Sequence, residues 1–235
     1  MNVMQINGID IEDSFAEAFP MIATRLIITA EDRYWALRAA EAMTGFATSV
    51  IACGCEASIE REISASQSPD GRPAIAVLLF SMSSKELEKQ VVRRVGQCVL
   101  TCPSTSVFAG MTGEKELALG SRLRFFGDGY QISKVIGNRR FWRIPVMDGE
   151  FVCEAKTART AAIGGGNFLV LSESLSGALR ACEIAMDAMR QLPNVIMPFP
   201  GGVARSGSKV GSKYSWLTAS TNHYYCPTLR PITRS

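Results

Sequence analysis

Between residues 25 and 126, short apolar runs alternate with segments of helical period, and this alternation restricts the fold more than any other feature of the chain. "RLIITA" (25–30) reads as a buried strand. In "EDRYWALRAAEAMTG", Tyr34, Leu37 and Ala40 or Glu41 recur at three or four residues, and Gly45 stands where a C-terminal cap belongs, so a helix follows. "TSVIAC" (48–53) is a second predicted strand, and the polar stretch after it ends in "SPDGRP", where Pro69, Asp70 and Gly71 spell a turn. "AIAVLLF" (74–80) is a third strand. "SSKELEKQVVRRVGQ" is a second helix, with Ser83 and Glu86 at capping-box spacing and Leu87, Val91, Val92 and Val95 on one face. "ELALGSRLRFF" (116–126) is predicted as the fourth strand. The order β-α-β-β-α-β is that of the split ferredoxin-like unit, an antiparallel sheet with both helices on one face.

"QISKVI" and "RRFWRIPVM" then flank Gly137 and Asn138, a pair that tolerates the positive φ of a two-residue hairpin turn. Around Gly149 the pattern restarts: a strand in "GGGNFLVLSES" (164–174), a helix opened by Ser174 and closed before Pro193, and a strand in "NVIMPF". The predicted class is therefore α+β, with two ferredoxin-like α/β lobes at about 1–150 and 151–235. No second amphipathic helix or closing strand follows before Ser235, so the second lobe is expected to be incomplete.

Hydrophobic and charged contents of 47% and 20% suit a soluble globular chain, and 235 residues can bury a core without disulfides. The first twenty residues carry acids and no basic residue, which is the wrong start for a secretory signal, and no apolar run is long enough to span a bilayer. Seven scattered cysteines point to reduced thiols in a cytoplasm. "CGC" (53–55) and "CVLTC" (98–102) do not have zinc-site spacing, so no metal is expected. A net charge of +3 does not argue for nucleic acid, and the basic and aromatic residues do not interleave as in RNA-binding sheets. The distribution of charge says more: the 48 residues after Asp187 hold six Lys or Arg and no Asp or Glu. Within them, "MPFPGGVARSGSKVGSKYSW" (197–216) has four glycines, four serines and three basic residues. A solvated tail and the wall of an anion site both fit that composition. The apolar residues bracketing it favour the wall, and a phosphate loop is excluded because G-x-x-x-x-G-K-[ST] fails at Ser208.

Several segments could carry chemistry. In "GGGN" (164–167) glycines allow close approach and leave N–H groups free to face an oxyanion, although a tight turn requires no more than that. Gly165, Gly166 and Asn167 are the candidate positioning residues. Asp128, between Gly127 and Gly129, suits a turn or a positioned carboxylate. Gly201 and Gly202 permit close backbone approach, while Arg205, Lys209 and Lys213 recur every four residues with Ser206, Ser208 and Ser212 among them, a set of donors for carboxylate or phosphate. With a single histidine, His223, and no nucleophile elbow, a Ser-His-Asp triad is not expected.

The stretches "INGIDIEDSFAEAF" (6–19), "TGFATSVI" (44–51), "PDGRP" (69–73), "RVGQCVLT" (94–101), "FFGDGYQ" (125–131), "GGGNFLVLSES" (164–174), "PFPGG" (198–202), "SGSKVGSKY" (206–214) and "ASTNHYYCPTLR" (219–230) resemble, in one register, the formylmethanofuran:tetrahydromethanopterin formyltransferases. "CGCEA" (53–57) and "WRIPVMDGEF" (142–151) are more similar to the bacterial branch, the D subunit of the formyltransferase/hydrolase complex. The resemblance implies a two-lobed homo-oligomer of cytoplasmic one-carbon metabolism, with methanofuran (or an analogue) and tetrahydromethanopterin as carrier substrates and no prosthetic group. It implies transfer of a formyl group between the amine of the first carrier and N5 of the second, with a hydrolase partner in bacteria. It adds Phe199 and Asn222 to the candidate substrate-binding residues, beside Asp128, Gly201, Gly202, Arg205, Ser206, Ser208, Lys209 and Lys213. It also implies a further strand, carrying a candidate acid/base glutamate, and another helix beyond "CPTLR", whereas here "PITRS" follows. The expectation is a truncated second lobe, with a non-catalytic subunit or an inactive fragment as the alternatives to an enzyme.

Overall fold

The computed structural model describes residues 3–12, 18–205, 208–217 and 219–233. In chain order these form β1 (Val3–Ile6), β2 (Ile9–Glu12), β3 (Phe19–Thr29), α1 (Arg33–Thr44), α2 (Val50–Cys53), β4 (Glu56–Ile63), β5 (Ala74–Ser81), α3 (Ser84–Arg94), β6 (Ser106–Ala109), β7 (Glu116–Ala118), α4 (Gly120–Leu123) and β8 (Ile132–Ile136). They continue with β9 (Arg139–Val146), β10 (Gly149–Glu154), β11 (Lys156–Ala158), β12 (Thr160–Gly164), α5 (Leu175–Met189), β13 (Ser208–Val210) and β14 (Ala219–Thr221). An eight-stranded sheet dominates, in the order β4-β5-β3-β6-β10-β9-β8, with β12 also on β3.

The first four strands of that order, β4-β5-β3-β6, are antiparallel throughout and are joined in the chain as β3-α1-β4-β5-α3-β6. Side chains alternate across a strand. Leu26 and Ile28 of β3, Ile75, Val77 and Leu79 of β5 and Val107 of β6 therefore share one face, and they pack on Ala36, Ala39, Ala40 and Met43 of α1 and Leu87 and Val91 of α3. The Asp32 carboxylate accepts from the Trp35 N–H at the start of α1, and the Ser83 hydroxyl accepts from the Glu86 N–H as the capping-box spacing predicts. The α1 helix ends where the Gly45 N–H donates to the Glu41 carbonyl. The hairpin of β8 and β9 turns through Gly137 and Asn138, with Ile136 opposite Arg139.

Four predicted strands differ. At 48–53 the chain forms α2 instead, because the Ser49 hydroxyl caps the Ile51 N–H and Gly54 leaves through the left-handed region. The second strand is β4, further on. At 116–126 only β7 is extended. A Cβ on Gly120 would lie 2.7 Å from the Glu154 carbonyl, and α4 begins at that close approach; the fourth strand is the short β6. The strand predicted after the glycines of 164–167 lies before them, as β12. "NVIMPF" is not a strand, since Asn194 adopts φ 67° and 195–198 make no ladder. The large sheet does not stop at residue 150: β10 pairs in parallel with β6, and β12 pairs with the first half of β3.

Candidate functional site

The glycine loop at 164–167 is positioned by β12. Gly164 lies opposite Phe19 at the start of β3. Gly165 follows at φ 83°, and a Cβ there would come within 2.6 Å of the Phe19 ring, so both backbone and packing exclude a side chain. Around Gly166 there is open space. Asn167 folds its amide back on the loop, Nδ2 donating to the Gly165 carbonyl at 3.0 Å. Among the described residues the N–H groups of Gly166 and Asn167 have no hydrogen-bond partner, which leaves two adjacent donors on an exposed turn.

The basic segment follows α5 after a short connection through Pro193 and Asn194. The Ser174 hydroxyl accepts from the Gly177 N–H to open α5, and Met186 is the helix's buried residue. After Pro193 the chain turns through Asn194. Residues 199–202 then close a compact turn: the Gly202 N–H donates to the Phe199 carbonyl at 2.7 Å and the Val203 N–H to that of Pro200 at 3.3 Å. Gly201 and Gly202 take φ of 65° and 85°, and a Cβ on Gly202 would overlap the Met186 sulfur. Beyond Arg205, β13 pairs with β14, setting Lys209 opposite Ser220 one residue pair from the approach to Asn222. Asn222 precedes the 3-10 turn His223–Tyr225 without using its amide as a cap, and its carbonyl accepts from the Cys226 thiol at 3.5 Å. Arg205 and Lys213 are exposed, and among the described residues none of Arg205, Lys209 and Lys213 has an ion-pair partner. Ser206 lies outside the described residues, as does the side chain of Ser208.

Asp128 is placed elsewhere. It takes φ 49° after the 3-10 turn Arg124–Gly127, its N–H bonds the Phe125 carbonyl at 3.1 Å, and it leads into β8 at one end of the sheet. Four strand spacings separate β8 from β3, about 19 Å. The structure therefore sets the 199–203 turn against α5, places Lys209 and Asn222 on and beside the β13–β14 pair, and leaves Asp128 across the sheet from Arg25.

Three residues that sequence reasoning passed over join this segment to the sheet. Arg25 of β3 pairs in a two-bond fork with Glu60 of β4, Nε to Oε2 at 2.6 Å and Nη2 to Oε1 at 2.8 Å, and both side chains are largely buried. Asn194 completes the group: its Oδ1 accepts from Arg25 Nη2 and its N–H donates to Glu60 Oε1 at 3.0 Å. Burial alone would raise the Glu60 carboxyl, but the bonds from Arg25 and Asn194, with the charges of Arg25 and Arg61, hold it below the ordinary carboxylate range. The signal was present as an arginine at the head of the apolar run "RLIITA". A second buried carboxylate, Glu154, accepts from the Ala109 N–H at 2.9 Å and forks with Arg139 on the same sheet. The cysteines are free thiols, and burial pushes the Cys153 thiol up to about 12, far from a reactive state. Among the described residues no three His, Cys, Asp or Glu side chains gather as a metal site, and no helix is long and apolar enough to cross a membrane.

The described residues thus combine a mixed α/β architecture with glycines that allow close backbone approach and with three cations that have no ion-pair partner among them. Two family profiles cover the chain: formylmethanofuran-tetrahydromethanopterin formyltransferase over residues 4–146, and the proximal lobe of the same enzyme over 149–235. The formylmethanofuran–tetrahydromethanopterin formyltransferase of Methylococcus capsulatus is 62% identical over 232 residues, 99% of this chain and 78% of that protein. The D subunit of the formyltransferase/hydrolase complex of Methylorubrum extorquens is 49% identical, over 98% of this chain and 76% of that protein. One chain of the complex from that organism, solved with methylofuran, superposes with a TM-score of 0.95 at 48% identity, over 97% of this chain and 76% of the matched one. The Methanosarcina barkeri formyltransferase superposes at 0.91 with 45% identity, over 98% and 78%. The chain belongs to the formylmethanofuran–tetrahydromethanopterin formyltransferase family.

Proposed function

We propose that this protein moves a formyl group between the amine of methanofuran, or an analogue, and N5 of tetrahydromethanopterin, and that 164–167 and 197–213 contribute to the carrier site. The observation that carries the reaction is the family match running through both parts of the chain, at 46–62% identity to formyltransferases of bacteria and archaea. The chemistry asks little of the protein in covalent terms. A neutral amine nitrogen attacks the formyl carbon, the carbonyl oxygen gains the negative charge of a tetrahedral adduct, the proton on the attacking nitrogen is transferred to the departing one, and the old C–N bond breaks. Positioning and oxyanion stabilisation are what the site must supply. The unpartnered N–H groups of Gly166 and Asn167 support a role as donors, each worth roughly 3–4 kcal/mol at a developing oxyanion. Arg205, Lys209 and Lys213, together with Phe199, Gly201, Gly202, Ser206, Ser208 and Asn222, form the proposed binding wall for an anionic carrier. Asp128, beside β8 on the far side of the sheet from Arg25, is proposed to reach a carrier site across an interface with another protomer.

Because the carriers bring both the formyl group and the acceptor nitrogen, the reaction needs no prosthetic group. We read each lobe as a ferredoxin-like unit, with the division at about residue 150 supported by the family profiles, which meet between 146 and 149. The proposed setting is the cytoplasm, as a homo-oligomer and in contact with other subunits of a formyltransferase/hydrolase assembly. The open edge β8, with Ile132, Val135 and Ile136 exposed, supports assembly. The reaction is tested by incubating the purified chain with a 5-formyl tetrahydropterin carrier and the furan carrier amine. Formyl transfer that requires both carriers is expected; a folded protein that transfers nothing and binds neither carrier overturns the reading.

A further inference from the structure

Beyond its carrier chemistry, the molecule contains one arrangement that links the basic segment to the central sheet. β4 carries a bulge: Ile59 faces Val77 and Arg61 faces Ala76, leaving Glu60 between them with no partner on β5. A bulge re-aims a side chain. Here it swings Glu60 across β5 to Arg25, on the face opposite α1 and α3. Room for Arg25 comes from Gly110, where a Cβ would sit 2.6 Å from the arginine Cγ. The fork leaves Arg25 Nη2 and Glu60 Oε1 with capacity, and Asn194 takes both, accepting with its side chain and donating with its backbone. Asparagine tolerates the left-handed conformation that Asn194 adopts, at φ 67°, and this conformation turns the N–H toward Glu60. Among the described residues, these two bonds are the only hydrogen bonds between residues 165–233 and the earlier part of the chain.

A buried, bulge-directed ion pair is a costly way to add stability, since an apolar pair of similar size commonly does as well. Its distinguishing property is direction. A fork with one free donor and one free acceptor recognises a single backbone geometry at a single place.

We propose that Arg25, Glu60 and Asn194 form a latch that sets the register of 195–205 against the sheet, which makes Asn194 and Glu60 positioning residues for the carrier site. The proposal rests on the reading of that segment as the carrier-binding wall. Met197 lies three residues beyond the latch, and the stretch between makes no ladder of its own. An error in the placement of Asn194 therefore passes directly into the 199–202 turn and Arg205 after it.

Asn194→Gly keeps the left-handed backbone and removes Oδ1; Glu60→Gln keeps the shape and removes the charge; Arg25→Lys keeps the charge and removes the fork. Each is compared with the unaltered chain for kcat, for the KM of each carrier, and by hydrogen exchange. The expected result is a KM increase for one carrier of about tenfold, the scale of one hydrogen bond to a charged group, with a smaller change in kcat. Exchange should quicken over 195–203 while β3 and β5 keep their protection, and Arg25→Lys should fail to restore the register. If KM and exchange over 195–203 are unchanged in Asn194→Gly and Glu60→Gln, the latch does not exist. Protection lost equally in β3 and β5 also overturns it, showing a merely structural pair. If the unaltered chain transfers no formyl group and binds neither carrier, the carrier reading fails, and the exchange comparison still decides the latch.

Discussion

Gly165 and Gly166 are neighbours with different demands. Gly165 holds φ 83° with the Phe19 ring against its Cα, whereas Gly166 faces open space and needs no special backbone. Gly165→Ala is expected to cost about 1–3 kcal/mol in chemical denaturation, from strain and overpacking together. Gly166→Ala should stay within roughly 0.5 kcal/mol. A similar loss in both would place the constraint outside the ring contact. Glu60 makes a prediction about pH. Its folded carboxyl titrates below its unfolded value of about 4.3, so the unfolded chain binds more protons in acid. The stability it contributes is complete above that value and is lost as pH falls through the lower folded one. The groups facing it are Arg25, Arg61 and Asn194. In Glu60→Gln, unfolding free energy measured below pH about 4.5 should fall less steeply than in the unaltered chain. An unchanged acid slope would assign that loss to other carboxylates.

At the scale of elements, helices are where sequence reasoning was strongest, because caps and period are local. Ser83→Ala, which removes the bond to the Glu86 N–H, should lower stability by about 1 kcal/mol in a thermal or denaturant melt; no change would mean that α3 is held by its buried face alone. Strands were less legible for physical reasons that differ from case to case. β4 is an edge strand bearing Glu56, Glu60, Arg61 and Glu62, and the bulge breaks its period, so the nearby apolar V-I-A-C stood out instead. β6 has only four residues, and β12 is made mostly of small ones, with Ile163 its one large apolar side chain. The glycines at 164–167 were legible as a close approach, but they end a strand rather than begin one. Of the candidate site, the three cations and the paired glycines were visible as composition. The Arg25–Glu60–Asn194 group was not, because it joins residues 35 and 134 positions apart and no short pattern contains it. The cationic segment is tested by Arg205→Ala and Lys209→Ala. Each should raise the KM of one carrier several-fold, more at low ionic strength than at high, with a smaller effect on kcat. KM values that do not respond to either substitution or to salt would make the segment an ordinary loop.

At the scale of the whole molecule, β3 organises the sheet by serving two successive neighbours on one side: β6 along Leu26–Thr29 and β12 along Phe19–Ala23. The two do not meet. The Gly110 N–H bonds the Arg25 carbonyl as the chain leaves, and the Thr24 hydroxyl bonds the Ala158 carbonyl as it returns. Arg25 thus stands at the seam, with the latch on one face and the helices on the other. This arrangement imposes an order of events during synthesis. Everything needed for β3, β4, β5, β6 and their two helices has left the ribosome long before β12, so the nascent sheet must wait with the first half of its central strand unpaired along one side. Pairing across so large a separation is slow, and a half-open central strand can recruit the wrong segment. The waiting stretch contains Pro20, which has no N–H to offer a stray strand, and it ends at the charge of Arg25. A strand so composed is a poor template for a passing chain until its own partner arrives.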